Sequence, residues 1–400
     1  MPVDRNLYWL RVPASGALDT ARPSRAVVRI VSVIGTRPQL IKAAALSPVL
    51  RAAHEEVLVD TGQHYDVDLA GDHLDALGLA RPDHSLGIGS APGAEQISRM
   101  LLAVAEVLGS VRPDAVLVYG DTNSTIAGAI AGVKAGLPVA HVEAGLRSFD
   151  RRMPEETNRI VTDHVSRWLF APTPTAVRNL DAEGIREGVS LVGDVMQDLA
   201  ARVARDVRDP ATLAGVSSFV AAAAGRDVAL RPGGFLFATI HRAENREQPA
   251  LRAWAELLAA VASPERPVIL ALHPGTRAAL DAAAVTLDPA VVITPPLGYR
   301  TTLALGLHAA AVLTDSGGLQ REASWLGTPC LILRSTTEWV EAVAESGGTM
   351  VVVGTDRAAG IRRLAELAPP DRSEALATER AARLRLEPSG ATAAIAAALR

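Results

Sequence analysis

Two acidic segments stand where strand-like runs end, and a third follows a proline. Asp121 follows the run 115–119 in Tyr119-Gly120-Asp121-Thr122-Asn123, and Glu143 closes the run 138–142 in His141-Val142-Glu143-Ala144-Gly145-Leu146-Arg147. Glu155 and Glu156 follow Pro154. Carboxylates at neighbouring parallel strand ends project into one crevice. Crowded like charges push one pKa up, leaving one proton donor and one acceptor near neutrality. That pattern suits acid–base chemistry. Arg159, at i+4 from Glu155, also fits an exposed helical ion pair of small energetic weight. The three acids with His141 could instead gather a divalent cation, but metal-ligand spacing is missing, so no metal is expected.

A second group of residues suits phosphate. Gly35-Thr36-Arg37-Pro38 turns the first strand into a helix whose leading amides, with Arg37, favour an anion. An ordinary strand-to-helix turn with a solvated arginine reads the same way. Thr314-Asp315-Ser316-Gly317-Gly318 repeats the arrangement later in the chain, and two glycines let a ligand approach the backbone. Glu322, one turn into the following helix, can accept from ribose hydroxyls. His241, in His241-Arg242-Ala243-Glu244-Asn245, also sits at a strand end, as does His273. Gly87-Ile88-Gly89 begins a dinucleotide fingerprint, but Pro92 occupies the place of its third glycine. No nicotinamide cofactor is expected. A P-loop and a Gly-x-Ser-x-Gly elbow are both absent from the sequence.

The elements that must carry these residues read as alternating strands and helices. Apolar, β-branched runs at 27–34, 56–60, 115–119, 138–142 and 168–171 form one series; 234–240, 267–273, 290–294, 310–314, 329–333 and 350–353 form another. Continuous apolar strands belong to parallel sheets covered on both faces, and the spacing leaves room for crossover helices. An α/β fold of two Rossmann-like, doubly wound domains with a cleft between them follows. The expected divisions are an extension at 1–25, a first domain at 26–202, a connection at 203–234, a second domain at 235–371 and a helical tail at 372–400 that packs back across the junction.

The bulk numbers agree with two cores: 400 residues, 48% hydrophobic and 21% charged. A net charge of −4 without a basic run excludes a phosphate-tracking surface, so neither nucleic acid nor a membrane is an expected partner. Lys42 and Lys134 are the only lysines, and Cys330 is the only cysteine, which precludes an intrachain disulfide. The first 25 residues carry charges and no apolar core, so a secretory signal is not expected there and the chain reads as cytoplasmic.

Taken together, these segments resemble the non-hydrolysing UDP-N-acetylglucosamine 2-epimerase family. The matching stretches are Gly35 to Pro38 with Lys42, Gly62-Gln63-His64, Gly120-Asp121-Thr122, His141 to Arg147, Pro154-Glu155-Glu156 with Asn158-Arg159, His241-Arg242, Leu313 to Gln320, and Thr337-Glu338. The resemblance implies a GT-B fold, a homodimer, and a UDP-sugar substrate whose C2 is inverted by loss and return of UDP through a 2-acetamidoglucal. It implies that Asp121, Glu143 and Glu155 surround C2, that Arg37, His241 and Ser316 hold the diphosphate, and that Glu322 holds the ribose. Lys42 and Arg159 would support the site, with Gln63, His64, Arg147, Arg242, Gly317 and Gly318 as further substrate contacts. Gln39, Tyr65-Asp66 and Trp339-Val340 are similar to the branch acting on 2,3-diacetamido uronic acid sugars. A hydrolysing 2-epimerase, a GT-B glycosyltransferase and a sugar-nucleotide-binding regulator remain alternatives.

Overall fold

The computed structural model describes residues 27–63 and 78–400. Each series of apolar runs builds one parallel sheet. The first takes β1 (Arg29–Ile34), β2 (Glu55–Asp60), β3 (His84–Ser85), β4 (Ala115–Tyr119), β5 (Val139–Val142), β6 (Trp168–Ala171) and β7 (Val189–Leu191), in the order β3-β2-β1-β4-β5-β6-β7. The second takes β8 (Leu236–Ile240), β9 (Val268–Leu272), β10 (Val291–Thr294), β11 (Val312–Thr314), β12 (Cys330–Ile332) and β13 (Met350–Val352), in the order β10-β9-β8-β11-β12-β13. The central strands are buried along their whole length, which is why they read as unbroken apolar runs. All eleven expected strands coincide with an observed one or differ from it by only a residue or two at their borders. β3 and β7 are edge strands of two and three residues, too short and too exposed to leave an apolar pattern.

Strand order decides where chemistry can sit. In each sheet the winding reverses beside the first strand, between β1 and β4 and between β8 and β11. Loops leaving the carboxyl ends of such a pair diverge and open a crevice. The segments that begin at Gly35, Gly120, His241 and Asp315 all leave from these four strands. In the register, Tyr119 lies opposite Val142, so Asp121 and Glu143 depart from adjacent strand ends.

The stretch 203–234, expected as helix followed by a connection, holds the end of one helix and the whole of another. Thr212–Ala224 is helical and buries Leu213, Val216 and Val220. Those three residues lie at i, i+3 and i+7, a narrow stripe easily lost among alanines. The preceding helix, Val195–Val207, touches both halves: it packs on Arg37–Ala53 of the first and on Tyr299–His308 of the second. The chain crosses back near its end. Helix Ser373–Arg383 lies on Tyr299–His308, while Ala391–Ala398 lies on Arg37–Ala53 and Val195–Val207. Asp198 fastens this last helix by accepting from the Gly390 amide (3.0 Å), the Thr392 amide (2.9 Å) and the Thr392 hydroxyl (2.8 Å). His54 pairs with the Ala396 carbonyl at 2.7 Å. Among the described residues, no helix is long and apolar enough to cross a membrane.

Candidate active site

The first half supplies the acids. Gly120, at φ +61°, turns the chain out of β4 and presents Asp121. Helix Pro154–Val165 then grips Asp121 twice: Asn158 Nδ2 donates to its carbonyl at 2.9 Å, and Arg159 Nη2 meets its carboxylate at 2.5 Å. Burial works against the charged carboxyl, but Arg159, Lys42 and Arg242 outweigh it and hold Asp121 below its ordinary pKa. Glu143 is arranged the opposite way. It sits at φ +76°, an unusual conformation for a glutamate, with its side chain only 13% exposed and paired to Lys42. Burial raises its pKa; Lys42 pulls against that rise, while Asp194 and Asp121 add to it. Two neighbouring carboxyls therefore differ in proton affinity, that of Asp121 lowered and that of Glu143 raised.

The second half supplies an anion cradle. Ser316 caps helix Gly317–Leu326, its Oγ accepting from the Leu319 amide at 3.3 Å. A β-carbon on Gly317 would run into the Glu338 carboxylate, which would have to move aside. Gly318 is exposed at the helix mouth. Asp315, fully buried, shapes the opposing turn by accepting from the amides of His241 (3.0 Å) and Arg242 (2.9 Å) and from Asn245 Nδ2 (2.9 Å). His241 Nδ1 lies 3.3 Å from the same carboxylate. Burial lowers the imidazole pKa; Asp315 opposes this, and Arg242, His273 and Arg246 reinforce it. Glu322 is buried beside Tyr299, and its pKa is pushed up to about 7 by burial, against the pull of Tyr299 and Arg37 and with help from Asp194.

Both halves face one cleft. Arg37 donates to the Leu297 carbonyl across it. Thr173 Oγ1 donates to Glu341 at 2.9 Å, and Arg321 approaches Asp194 at 3.5 Å. The field is shared as well, since Arg242 of the second half lowers Asp121 of the first, and Glu338 helps hold the Arg159 guanidinium charged.

Several side chains stand differently from expectation. Arg147, expected to touch substrate, has all three side-chain nitrogens engaged: bidentate to Glu183 (2.7 and 2.8 Å), to Asp163 (2.7 Å) and to the Leu146 carbonyl (2.7 Å). It is a buried brace. Gln63 is buried too, its Oε1 accepting from the Ser124 amide (3.0 Å) and hydroxyl (2.7 Å), which fixes the start of helix Asn123–Lys134. His64 lies outside the described residues. Arg159 pairs with Glu156 at 2.8 Å rather than with Glu155, which is half-buried and makes no side-chain hydrogen bond or ion pair among the described residues.

Two residues at the heart of the network were not singled out as site residues from sequence. Glu156 accepts from the Ser148 amide (2.9 Å) and hydroxyl (3.0 Å), the Phe149 amide (2.9 Å) and Arg159, pinning the loop beyond Glu143. Asp163 bonds His141, Arg147 and the Gly145 amide. The signal for both was available. The buried face of helix Pro154–Val165 consists of Glu156, Asn158, Arg159, Thr162 and Asp163, and a helix that buries its polar side must be serving polar partners.

With the geometry in place, likeness to known proteins is informative. A family model described as UDP-N-acetylglucosamine 2-epimerase matches residues 49–397. A Pseudomonas aeruginosa protein named UDP-2,3-diacetamido-2,3-dideoxy-D-glucuronate 2-epimerase is 41% identical over 82% of this chain and 89% of its own. The crystal structure of the Methanocaldococcus jannaschii UDP-GlcNAc 2-epimerase, in complex with UDP-GlcNAc and UDP, superposes with a TM-score of 0.79 at 32% identity, covering 93% of this chain and all but 1% of that one. The glycosyltransferase SnogD from Streptomyces nogalater shares the two-domain GT-B architecture at 15% identity and a TM-score of 0.50.

Proposed function

Because the chain belongs to the UDP-N-acetylglucosamine 2-epimerase family, we propose that it inverts C2 of a UDP-2-acetamido sugar by expelling UDP from C1 and taking it back. The observation that carries this reading is the pair of carboxyls at neighbouring strand ends whose proton affinities are shifted in opposite directions, that of Asp121 lowered and that of Glu143 raised. The C2 proton of such a sugar is not acidic by itself. Departure of UDP with the C1–O electron pair leaves C1 cation-like, and the C2 proton then passes to a carboxylate, giving the 2-acetamidoglucal. A second carboxyl returns a proton to the opposite face, and a UDP oxygen re-forms the bond to C1. In one direction Asp121 accepts and Glu143 donates; in the other they exchange roles.

In this reading Lys42 and Arg159 hold the two acids in place, and Glu155 is the third acid facing the sugar. Arg37, His241, Ser316 and the amides of Gly317 and Gly318 receive the negative charge of the leaving diphosphate. Arg242 adds charge beside them, and Glu322 takes the ribose. The chain works as a cytoplasmic homodimer that supplies precursors for polysaccharide, with the division into domains at 26–202 and 235–371 given above. A 2,3-diacetamido uronic acid form of the sugar is the second reading, favoured by the identity to the Pseudomonas enzyme.

One NMR experiment tests the reaction and the sugar together. Enzyme and each candidate UDP-sugar in heavy water should give a manno product carrying deuterium at C2. Substrate recovered with C2–H intact from every candidate would reject epimerisation; stoichiometric free UDP would turn the reading to hydrolysis.

A proton linkage follows from His241. Its pKa is low in the unliganded cleft, and a diphosphate favours imidazolium, so binding raises that pKa and takes up a proton. UDP should therefore bind more tightly as pH falls through the raised pKa of the liganded imidazole. Calorimetry in buffers of different ionisation enthalpy reads the uptake directly. His241→Asn should remove that uptake; an equal uptake in the variant would dissociate His241 from the phosphate.

A further inference from the structure

We infer that Asp163 and His141 form a buried positioning device that fixes the separation of Asp121 and Glu143. The inference rests on the reading that those two carboxyls act at C2. His141 occupies the middle of the apolar strand β5 and is wholly buried, as is the Asp163 carboxylate. His141 Nδ1 lies 2.6 Å from Asp163 Oδ1, and Nε2 lies 2.7 Å from the Gly120 carbonyl. The ring thus bridges the negative charge of Asp163 and the Gly120 carbonyl, one nitrogen to each. Burial opposes that charge on Asp163, but His141 and Arg147 outweigh it and keep the carboxyl below its ordinary pKa.

The consequences run to both acids. Gly120 is the residue immediately before Asp121, and its carbonyl is held by the His141 ring. Glu143 is two residues after His141, and the loop that follows it is tied to the same Asp163 through the Gly145 amide (3.1 Å) and Arg147 Nη1 (2.7 Å). Arg147 is balanced in turn by Glu183. His141, Asp163, Arg147 and Glu183 thus close a compact network, buried except at Glu183, against the backs of both strand ends. Asp163 shares helix Pro154–Val165 with Asn158 and Arg159, so one helix face sets the backbone of Asp121, its carboxylate and the Glu143 loop. Neither Asp163 nor His141 reaches the cleft, and their effect is on geometry.

The test compares His141→Ala, Asp163→Ala and Asp163→Asn with the native chain. A misplacement of about 1 Å can cost about a hundredfold in rate, so both alanine variants should lose about that factor in kcat while KM and the Kd for UDP stay within about threefold. Asp163→Asn keeps a hydrogen-bonding partner for the ring and should lie about three- to tenfold below native. Hydrogen exchange supplies a readout that needs no substrate: the amides of Gly120 and Glu143, bonded to Val142 and Phe170, should exchange faster in each variant while β8 and β11 stay native. If the alanine variants do not fold, Asp163→Asn decides by kcat and exchange. Native kcat in Asp163→Asn, UDP affinity falling in step with kcat, or unchanged exchange at Gly120 and Glu143 would each overturn the positioning role. Should the native chain fail to exchange C2–H, the epimerase reading falls on that result alone, and the exchange comparison still decides the device.

Discussion

Glu143→Gln is expected to cut turnover by about a thousandfold while leaving UDP binding within about threefold of native. The amide has nearly the shape of the carboxyl and keeps an oxygen toward Lys42, so the fold has little reason to change. What disappears is a proton that can move. Burial, Asp194 and Asp121 all push Glu143 toward its protonated form, and Lys42 alone opposes them, which poises the group to donate and accept in turn. Lys42 then matters in a second way. Burial disfavours its charge, yet Glu143 and Asp121 raise its pKa, so an amide in place of Glu143 leaves a buried cation with one carboxylate fewer. Steady-state kinetics and titration calorimetry with UDP separate the two effects. Native turnover in the variant would remove Glu143 from the chemistry, and a parallel collapse of UDP binding would recast it as a structural residue.

Gly145→Ala is expected to lower stability by about 3 kcal/mol and to abolish turnover with it. Gly145 sits at φ +81°, where a β-carbon is strained, and that carbon would run into the backbone carbonyl of Ala176. Backbone cannot swing aside as a side-chain tip can. The amide of the same residue donates to Asp163 and its carbonyl accepts from Asn179 Nδ2 at 3.0 Å, so displacing it strains the loop that begins at Glu143 from both sides. The urea midpoint, followed by circular dichroism, reads the loss. A variant as stable as the native chain would show that this loop relaxes freely, against the tight loop described here.

The sequence revealed the sheets more fully than the site. Strands such as Ala115–Tyr119 are buried on both faces and leave a continuous apolar mark, whereas His84–Ser85 and Val189–Leu191 at an edge leave none. Asp121, Glu143, His241 and Ser316 were legible because each follows a strand, and strand ends at a winding reversal are where ligands bind. Arg147 and Gln63 show the limit of that logic. A motif says that a residue belongs to the region, but only packing says whether its donors face the cleft or, as with Arg147, are consumed by Glu183 and Asp163. Asp163 carried no motif, and Glu156 was grouped with the acids after Pro154 without a role of its own. A charged residue on a helix is ordinarily assigned to solvent, and only the all-polar inner face of helix Pro154–Val165 marks it as an exception.

The return of the chain through Ala391–Ala398 constrains how the cleft can work. Because the polypeptide passes between the halves once before β8 and again after Ser373–Arg383, the halves are joined by a pair of adjacent tethers, not a single leash. A body held at two neighbouring points keeps chiefly the freedom to rock about the line between them. Rocking of that kind would open the cleft like a clamshell, and Arg37, Thr173 and Arg321 bridge the halves across it. In the proposed reaction, such a stroke would keep an expelled UDP over the sugar carbon that it left.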